Sequence, residues 1–479
     1  MKNNFVVFKF SALILVFSIN VFSQEYSNDL EKKSSVNNLL EKKFENPCIS
    51  EREYEIIEKR ISDNIKLYKI ENNQSKNFKS AATLLGWPLQ ADSNLHDCSY
   101  YHISAYVDQN TASGAFQDFN CGTNTYDGHK GTDISNWPFN FNKMDSNYVK
   151  VVAAAPGIIL DKHDGEFDRN CFGVGSNVPA NYIMIQHTDG SVALYWHMKS
   201  GNLTTKGIGQ PVIAGEYLGI VGSSGSSSGP HLHFEVWNGN SVANRIDPYS
   251  GSCNTLNATS WWTNQKPAKE TSIMKVSVNT TDVVIPACPA GEISNESSLF
   301  HIPFTGPGLP AGYAKFYIFI RDEINGLTGN MSILRPDGST YLSWTYTSTS
   351  NNKTKMWGWS KVLPTITGTY IFTATYNGIT CSTLFTIDNP TGINIPLSIS
   401  NIHIQPNPSN GKFFIFISDY KNNYKNGSIE IYNILGKGIY KTMITDLTTE
   451  IKLNAEAGIY LYVLKSNNQF ITSGKLIIQ

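Results

Sequence analysis

The sequence has 479 residues, which is too long for a single hydrophobic core and predicts about three domains. Its 38 basic and 39 acidic side chains give a formal net charge of −1, so there is no electrostatic basis for binding nucleic acid or an anionic membrane. Aromatic residues make up 12% of the chain and charged residues only 16%, with abundant Asn, Ser, Thr and Gly, which favours a mainly β, exported protein.

The first 23 residues have the pattern of a secretory signal peptide. Lys2 and Lys9 precede an apolar run from Phe10 to Phe22, and Ser23 offers a cleavage point. The run is too short to span a membrane as a mature helix, and no later segment has the required length and hydrophobicity. We therefore expect a secreted or cell-surface protein with no transmembrane segment in its mature form.

Residues 24–83 are charged and predict a helical pro-region that is removed from a zymogen. Ser50 and Glu53 form a capping box, which marks the start of a helix. Apolar side chains then recur at helical spacing, at Tyr54, Ile57, Ile61, Ile65 and Tyr68.

Seven cysteines in an exported chain predict disulfides and one remaining thiol. Cys48 lies in the pro-region, so we interpret it as a free thiol; a thiolate that caps a metal in the latent enzyme is a further alternative. The other six allow 15 pairings, of which we favour the local ones. These are Cys98 with Cys121, Cys171 with Cys253 and Cys288 with Cys381.

Residues 84–263 contain short β-type runs separated by Gly, Asn, Asp and Ser, which predicts a β-rich domain. The runs NYIMIQH and SVALYWH flank Asp189 and Gly190, a hairpin signal because this pair tolerates positive φ. His197 is placed at the end of the returning strand.

Four further residues in this domain have the types and spacing of a metal site. His231 and His233 lie two apart in the strand-like run PHLHFEV and face the same side. His129 and Asp133 flank Gly131 in GHKGTD, where glycine allows the backbone to fold tightly. A catalytic zinc site takes three such ligands, so His129, Asp133 and one histidine of the pair are candidate Zn²⁺ ligands. The remaining histidine and His197 are then free for proton transfer.

With these motifs in this order, residues 84–263 resemble the lysostaphin and LytM type of zinc endopeptidase. The resemblance implies that His129, Asp133 and His233 bind zinc and that His197 and His231 are catalytic, with hydrolysis by a zinc-activated water. It also implies a tyrosine near the oxyanion, for which Tyr126 and Tyr195 are candidates. Asn181 is a candidate for shaping the cleft, whereas His163 and His187 are interpreted as structural hydrogen-bonding residues.

The substrate implied by this resemblance is a glycine-containing peptide link, above all in peptidoglycan cross-links. The alternatives are a glycine-directed protease acting on proteins such as elastin, and a non-hydrolytic relative that binds cell wall or activates an amidase. A third alternative is a surface adhesin whose peptidase domain is vestigial. Non-hydrolytic relatives usually lack zinc ligands, and this chain keeps the full set, which favours catalysis.

Two further β modules are predicted after the catalytic domain. Residues 268–388 have alternating runs and turns at Asp337-Gly338 and Asn377-Gly378, which predict an immunoglobulin-like β-sandwich that binds a polymer or acts as a spacer. Residues 399–479 resemble the C-terminal sorting domain of type IX secretion, through Pro406, Asn407, Pro408 and Gly411, then Tyr432, Asn433 and Gly436, then Gly458, Ile459, Tyr460 and Lys475. This resemblance implies a small β-sandwich and the type IX secretion machinery as a partner.

Overall fold

The structure is a computed structural model, and it is mainly β, as the composition predicts. It describes residues 48–70, 83–171, 178–285, 292, 296–389, 402–417, 427–444, 446–466 and 469–479. The predicted signal peptide, the start of the predicted pro-region and Cys288 lie outside the described residues. The chain forms two compact units, the first ending at Ile387 and the second beginning at Asp388.

The part of the first unit before residue 264 contains two antiparallel sheets. Its strands are β1 (Leu89–Ala91), β2 (His102–Ala105), β3 (Thr132–Ser135), β4 (Val149–Val152), β5 (Gly157–His163), β6 (Tyr182–Gln186), β7 (Val192–Trp196), β8 (Pro211–Val212), β9 (Tyr217–Ile220), β10 (His231–Trp237) and β11 (Arg245–Ile246). The small sheet has the order β1-β4-β9, and the large sheet has the order β2-β3-β10-β7-β6-β5-β8 with β11 paired to β10.

Strand β10 lies near the middle of the large sheet, between β3 and β7. Successive side chains of β10 point to opposite faces of the sheet, and the two faces have different surroundings. Leu232, Phe234 and Val236 belong to the hydrophobic core on one face, so His231 and His233 point to the other face. The predicted hairpin is confirmed, since β6 pairs with β7 and Gly190 has φ 86° in the connecting turn.

The predicted helix before these two sheets is also confirmed. Helix α1 spans Glu51–Leu67, and its N-cap Ser50 forms the complete capping box with Glu53. Tyr54, Ile57 and Ile61 are buried in a cluster with residues of β5, β6, β7 and β10. The helix therefore packs on the large sheet, on the face opposite the core that contains Phe234. A second, short helix, α2, spans Asn140–Asp145.

The rest of the first unit contains two facing antiparallel sheets, as predicted for a β-sandwich. The strands are β12 (Ser272–Asn279), β13 (Leu299–His301), β14 (Tyr313–Glu323), β15 (Thr328–Leu334), β16 (Thr340–Thr347), β17 (Asn352–Val362), β18 (Gly368–Tyr376) and β19 (Ile379–Asp388). Their orders are β12-β14-β17 and β13-β19-β18-β15-β16. The predicted turns at Gly338 and Gly378 have positive φ angles of 84° and 74°.

The predicted disulfide pairing is wrong. Cys98 pairs with Cys381, and Cys121 pairs with Cys253. Cys171 is also disulfide-bonded, but not to Cys253. Proximity along the chain was a poor guide, because the fold brings distant segments together: the backbone N–H of Cys253 donates to Phe119 O at 2.9 Å, beside Cys121.

The segment that carries Cys98 is attached to the sandwich by further contacts. The backbone N–H of Ser99 donates to Met274 O at 3.0 Å in β12. Arg321 of β14 donates from Nη1 to Tyr101 O at 2.9 Å. These contacts hold Cys98 beside the sandwich and explain its pairing with Cys381 of β19.

The second unit consists of two antiparallel sheets. Its strands are β20 (Ile402–Gln405), β21 (Lys412–Ile417), β22 (Gly427–Asn433), β23 (Gly438–Ile444), β24 (Thr448–Lys452), β25 (Gly458–Ser466) and β26 (Gln469–Ile478). Their orders are β20-β21-β24 and β23-β22-β25-β26. Within the residues described in both units, neither helix has the length and hydrophobicity needed to cross a membrane.

Candidate active site

All five site residues predicted from the motifs converge on the face of the large sheet that α1 covers. His129 lies just before β3, Asp133 is in β3, His197 follows β7, and His231 and His233 are in β10. Asp133 and His233 are direct partners in the β3–β10 pairing. All five side chains are buried, with exposed fractions between 0% and 9%.

Three of these side chains present donor atoms to one point. His129 Nε2 lies 3.1 Å from Asp133 Oδ1 and 3.1 Å from His233 Nδ1, and the last two atoms are 2.8 Å apart. Tetrahedral zinc with ligands at about 2.0–2.1 Å separates its nitrogen and oxygen ligands by about 3.3 Å. Two imidazoles and one carboxylate at these distances therefore fit a metal ion.

Hydrogen bonds on the far side of each imidazole fix which nitrogen faces this point. His129 Nδ1 lies 2.7 Å from Tyr106 O, a carbonyl that can only accept, so Nδ1 carries the proton and Nε2 has the free lone pair. His233 Nε2 lies 2.7 Å from Glu235 Oε1 and donates to it, so Nδ1 is the nitrogen that faces the other donors and would bind a metal there. Both rings are thus oriented as metal ligands usually are.

Glu235 is a positioning residue that the sequence analysis missed. Its carboxylate is buried, and besides His233 it accepts hydrogen bonds from Trp237 Nε1 at 2.7 Å and from Tyr54 Oη at 2.5 Å. The signal was present, because strand alternation places Glu235 on the same face as His233. Glu235 lies between the apolar residues Phe234 and Val236, and a single carboxylate there belongs to no motif with a spacing of its own.

We expect Glu235→Gln to weaken zinc binding about 10- to 100-fold, because the amide lacks the charge that holds the Nε2 proton of His233. Chelator competition measures this affinity. The matched control is Glu166→Gln, which breaks a similar pair, His163 Nε2 to Glu166 Oε1 at 2.7 Å, away from the site. Equal zinc affinity in the two variants would contradict the role given to Glu235.

Gly131 leaves the space that the His233 ring occupies. A Cβ atom at this position would lie 2.7 Å from His233 Cε1 and 2.9 Å from Phe234 O. Since Glu235 and Asp133 both hold the His233 ring, it has little freedom to move away. The glycine in the GHKGTD motif is therefore required, because the backbone just before β3 lies against the His233 ring and the Phe234 carbonyl of β10.

Gly131→Ala is expected to destabilise the fold by about 1–3 kcal/mol, the usual cost of overpacking, and to weaken metal binding. Thermal unfolding and chelator competition report the two effects. Gly207→Ala is the matched control, because a Cβ there meets no atom of the described residues within 4 Å. A Gly131→Ala protein that matches this control in both measurements would show that His233 tolerates the methyl group.

His197 and His231 form a second pair beside the three donors. Their ring centroids are 4.5 Å apart. His197 Nδ1 lies 2.5 Å from Ser224 O, and His231 Nδ1 lies 2.8 Å from Gly229 O. Both carbonyls accept, so each Nδ1 is the donor and each Nε2 carries the lone pair. His197 Nε2 is buried and has no hydrogen-bond partner among the described residues, and His231 Nε2 lies 3.7 Å from Asp133 Oδ1.

Burial and charge act differently on these groups. Burial lowers the pKa of His197 well below its usual value and also lowers the pKa of His231. Burial alone would raise the pKa of Asp133, but the neighbouring His129 and His231 hold it well below the usual range. The protein environment therefore favours a carboxylate at Asp133 and neutral imidazoles at the histidine pair.

The structure distinguishes the two candidate tyrosines. The Tyr126 ring stacks on His129 with centroids 4.3 Å apart, so it adjoins the site. Tyr195 lies in the hydrophobic core, where its hydroxyl oxygen accepts from Ala154 N at 2.7 Å. Tyr126 remains the candidate for the oxyanion tyrosine.

The other candidates have structural contacts. Asn181 is fully buried and donates from Nδ2 to Met198 O at 3.0 Å, next to His197. His187 Nδ1 lies 2.8 Å from Pro156 O, and His163 pairs with Glu166. None of the three lies among the metal-donor atoms described above.

One more side chain reaches the site from the predicted pro-region. Cys48 Sγ lies 3.4 Å from His233 Nδ1. Cys48, His129 and His233 present ligand atoms within 4.8 Å of one another. The alternative interpretation of Cys48 as a metal-capping thiol thus has a geometric basis.

Comparison with known proteins agrees with this site. Residues 128–248 match peptidase family M23, and residues 403–479 match the secretion system C-terminal sorting domain. The fold and site define a metallopeptidase-type centre in a mainly β protein. The chain carries an M23 peptidase domain of the LytM type and a type IX sorting domain, and the sorting domain indicates secretion or localisation at the cell surface.

Curated relatives match only short segments. The cell division protein DipM of Caulobacter vibrioides (strain NA1000 / CB15N) is 35% identical over 92 residues, which cover 19% of this chain and 14% of DipM. The DD-carboxypeptidase/endopeptidase Mpg of Neisseria meningitidis serogroup B (strain ATCC 13091 / M2091) is 41% identical over 56 residues, 12% of each protein. Each match thus spans less than a sixth of the relative.

Among solved structures, the catalytic domain of the antimicrobial peptidase lysostaphin from Staphylococcus simulans is similar to part of this chain. The identity is 28%, the match covers 25% of this chain and 75% of that domain, and the TM-score is 0.19.

Proposed function

We propose that this protein is a secreted, zinc-dependent endopeptidase that hydrolyses glycine-containing peptide bonds in peptidoglycan cross-links. The observation that carries the proposal is the convergence of His129 Nε2, Asp133 Oδ1 and His233 Nδ1 within 3.1 Å of one another. The histidine pair beside them supplies groups for proton transfer. A relative that does not hydrolyse peptide bonds would not need both the three metal donors and the histidine pair.

The donor set favours zinc among the common metals. Two imidazole nitrogens and one carboxylate oxygen are typical of catalytic zinc sites, whereas calcium and magnesium prefer oxygen ligands. When bound, zinc would lower the pKa of a water molecule and polarise the scissile carbonyl. The carboxylate of Asp133 leaves the centre with net positive charge, which suits both effects.

The histidine pair then has a defined task. Because backbone carbonyls hold the Nδ1 protons of His197 and His231, each ring presents its Nε2 lone pair to the site and can accept a proton there. The same nitrogen can afterwards deliver that proton to the leaving amine. A protonated ring also stabilises the negative charge that develops on the carbonyl oxygen.

The substrate class is supported by location and by the relatives. The sorting domain indicates that the site works outside the cell, where peptidoglycan and proteins are both available. The Neisseria relative is named a DD-carboxypeptidase/endopeptidase, and peptide bonds of D-amino acids are a feature of peptidoglycan rather than of proteins. This favours the cell wall over a glycine-rich protein such as elastin.

The test uses the full chain with a protease site engineered between Ile70 and Thr83, so that cutting breaks the covalent link to helix α1 and chromatography then separates the cut segment from the rest of the chain. After cutting and zinc loading, the protein is incubated with purified peptidoglycan and, in parallel, with elastin. We expect new amino groups from peptidoglycan, lost with a chelator and restored by zinc. Release only from elastin would replace the proposed substrate, and no release from either would contradict the peptidase assignment.

A further inference from the structure

The geometry points to Cys48 as a fourth metal ligand that keeps the intact chain latent. This inference rests on the metal centre of the proposed function and adds a regulatory ligand to it. Cys48 Sγ lies 3.4 Å from His233 Nδ1, the nitrogen that faces the other donors. Ligands of tetrahedral zinc at about 2.3 Å for sulfur and about 2.0–2.1 Å for nitrogen are separated by about 3.6 Å. The observed distance matches that arrangement.

Cys48 forms no disulfide in the described part of the chain, and its side chain also lies in the apolar cluster beneath helix α1. It is the free cysteine there, and it is buried. The other described cysteines, Cys98, Cys121, Cys171, Cys253 and Cys381, are all disulfide-bonded. A secreted protein that retains one unpaired, buried thiol beside two imidazoles has a ligand set of the kind that zinc binds.

Helix α1 fixes the thiol in this position through contacts that do not involve the thiol. Ser50, two residues after Cys48, caps the helix. One turn into the helix, the Tyr54 hydroxyl donates to Glu235, the same carboxylate that orients His233. Beside the site, Glu51 Oε1 lies 2.5 Å from Lys130 Nζ, and Lys130 follows His129 directly.

The far end of the helix is also anchored. Arg60 Nη2 lies 2.9 Å from Asp161 Oδ1 in β5, and Ser241 Oγ donates to Glu58 Oε1 at 2.9 Å. The buried face of Ile57 and Ile61 adds apolar contact with the sheet. Because the anchors are distributed along the helix from Glu51 to Ile61, the helix holds Cys48 against the donors without needing the metal.

A thiolate at this position has a direct consequence for the site. Zinc in a catalytic centre keeps one position open for water or substrate, and the sulfur of Cys48 would close it. The intact chain is then latent until the segment that carries Cys48 leaves. The predicted pro-region therefore contributes a ligand as well as a cover.

The first test is spectroscopic and independent of peptidase activity. The full chain is loaded with Co²⁺, and the same is done with Cys48→Ser, which keeps the size but removes the thiolate. We expect a near-ultraviolet thiolate-to-cobalt charge-transfer band in the native protein and its loss in the variant, while the visible cobalt bands of the remaining ligands persist. Identical spectra with visible bands would overturn the role of Cys48. Absence of visible bands in both proteins would instead overturn the metal centre.

The second test separates metal ligation from simple burial. The rate at which iodoacetamide alkylates Cys48 is measured in the zinc-loaded full chain and after chelation. Ligation predicts a rate at least about tenfold higher without metal, because a coordinated thiolate is protected. An unchanged rate would show that packing alone shields the thiol and would overturn the inference.

The third test measures latency. Cys48→Ser in the uncut chain is expected to raise peptidoglycan hydrolysis at least about tenfold, since a larger fraction of molecules has an open site. Lys59→Ala, at an exposed position on the same helix, is the control and should leave the uncut chain latent. If only cutting the chain activates it and Cys48→Ser does not, the helix acts as a steric cover and the thiolate does not maintain latency.

Discussion

Asp133→Ala is expected to reduce peptide hydrolysis by the cut, zinc-loaded chain by about 1,000-fold or more. Asp133 supplies the anionic donor, and its Oδ1 lies within 3.1 Å of the donor nitrogens of both His129 and His233. Its loss removes a ligand and leaves two buried imidazoles without the carboxylate between them. A thousandfold loss corresponds to about 4 kcal/mol of transition-state stabilisation, which is within what a metal centre provides.

The matched control for this experiment is Asp127→Ala. Asp127 is exposed and lies six residues before Asp133, and its Oδ2 accepts a hydrogen bond from the backbone of Gly114. We expect its activity to stay close to that of the native protein. Asp133→Ala activity within about tenfold of this control would contradict the assignment of Asp133 as a ligand.

His197→Asn is expected to lower kcat by about 100- to 10,000-fold, the usual contribution of a general base, while zinc remains bound. His197 has φ 67°, a left-handed conformation that asparagine tolerates better than most residues. The substitution therefore removes the imidazole with little backbone strain. Zinc content, kcat and KM are measured on the same preparation, so that loss of chemistry is separated from loss of the metal.

His187→Asn provides the control for His197. His187 is also buried and also has its Nδ1 on a backbone carbonyl, and its Nε2 likewise has no partner in the part of the chain that the structure describes. Unlike His197, it does not lie beside the donor atoms of His129, Asp133 and His233. A kcat for His197→Asn that equals that of His187→Asn would show that the His197 imidazole takes no part in proton transfer.

The features that could be predicted from the sequence are those fixed by short-range geometry. The capping box of Ser50 and Glu53 correctly placed the start of α1, because its two hydrogen bonds span three residues. Asp189 and Gly190 identified the β6–β7 hairpin for the same reason. Strand alternation placed His231 and His233 on one face, and the structure brings both to the predicted centre.

Long-range contacts could not be predicted in this way. The two observed disulfides with described partners join residues 283 and 132 positions apart, so the preference for local pairs failed. Cys48 meets His233 across 185 residues, and only the packing of α1 on the sheet determines that contact. The same packing brings Tyr54 to Glu235, a bond that no local pattern indicates.

The predicted domain boundaries remain predictions. The catalytic sheets and the β-sandwich belong to one compact unit, joined by the Cys98–Cys381 disulfide and the contacts of Arg321. For this reason the experiments use the full chain instead of residues 84–263 alone. A binding or spacer role for the sandwich is equally a prediction.

The central claim is that His129, Asp133 and His233 bind a catalytic zinc ion, and elemental analysis of metal content tests it most directly. The measurement is made on the full chain with Cys48→Ser, so that the thiol cannot replace a lost ligand, with and without Asp133→Ala. The account predicts about one zinc per chain in the first protein and little in the second. A zinc-free first protein after loading with zinc, or equal zinc in both, would contradict it.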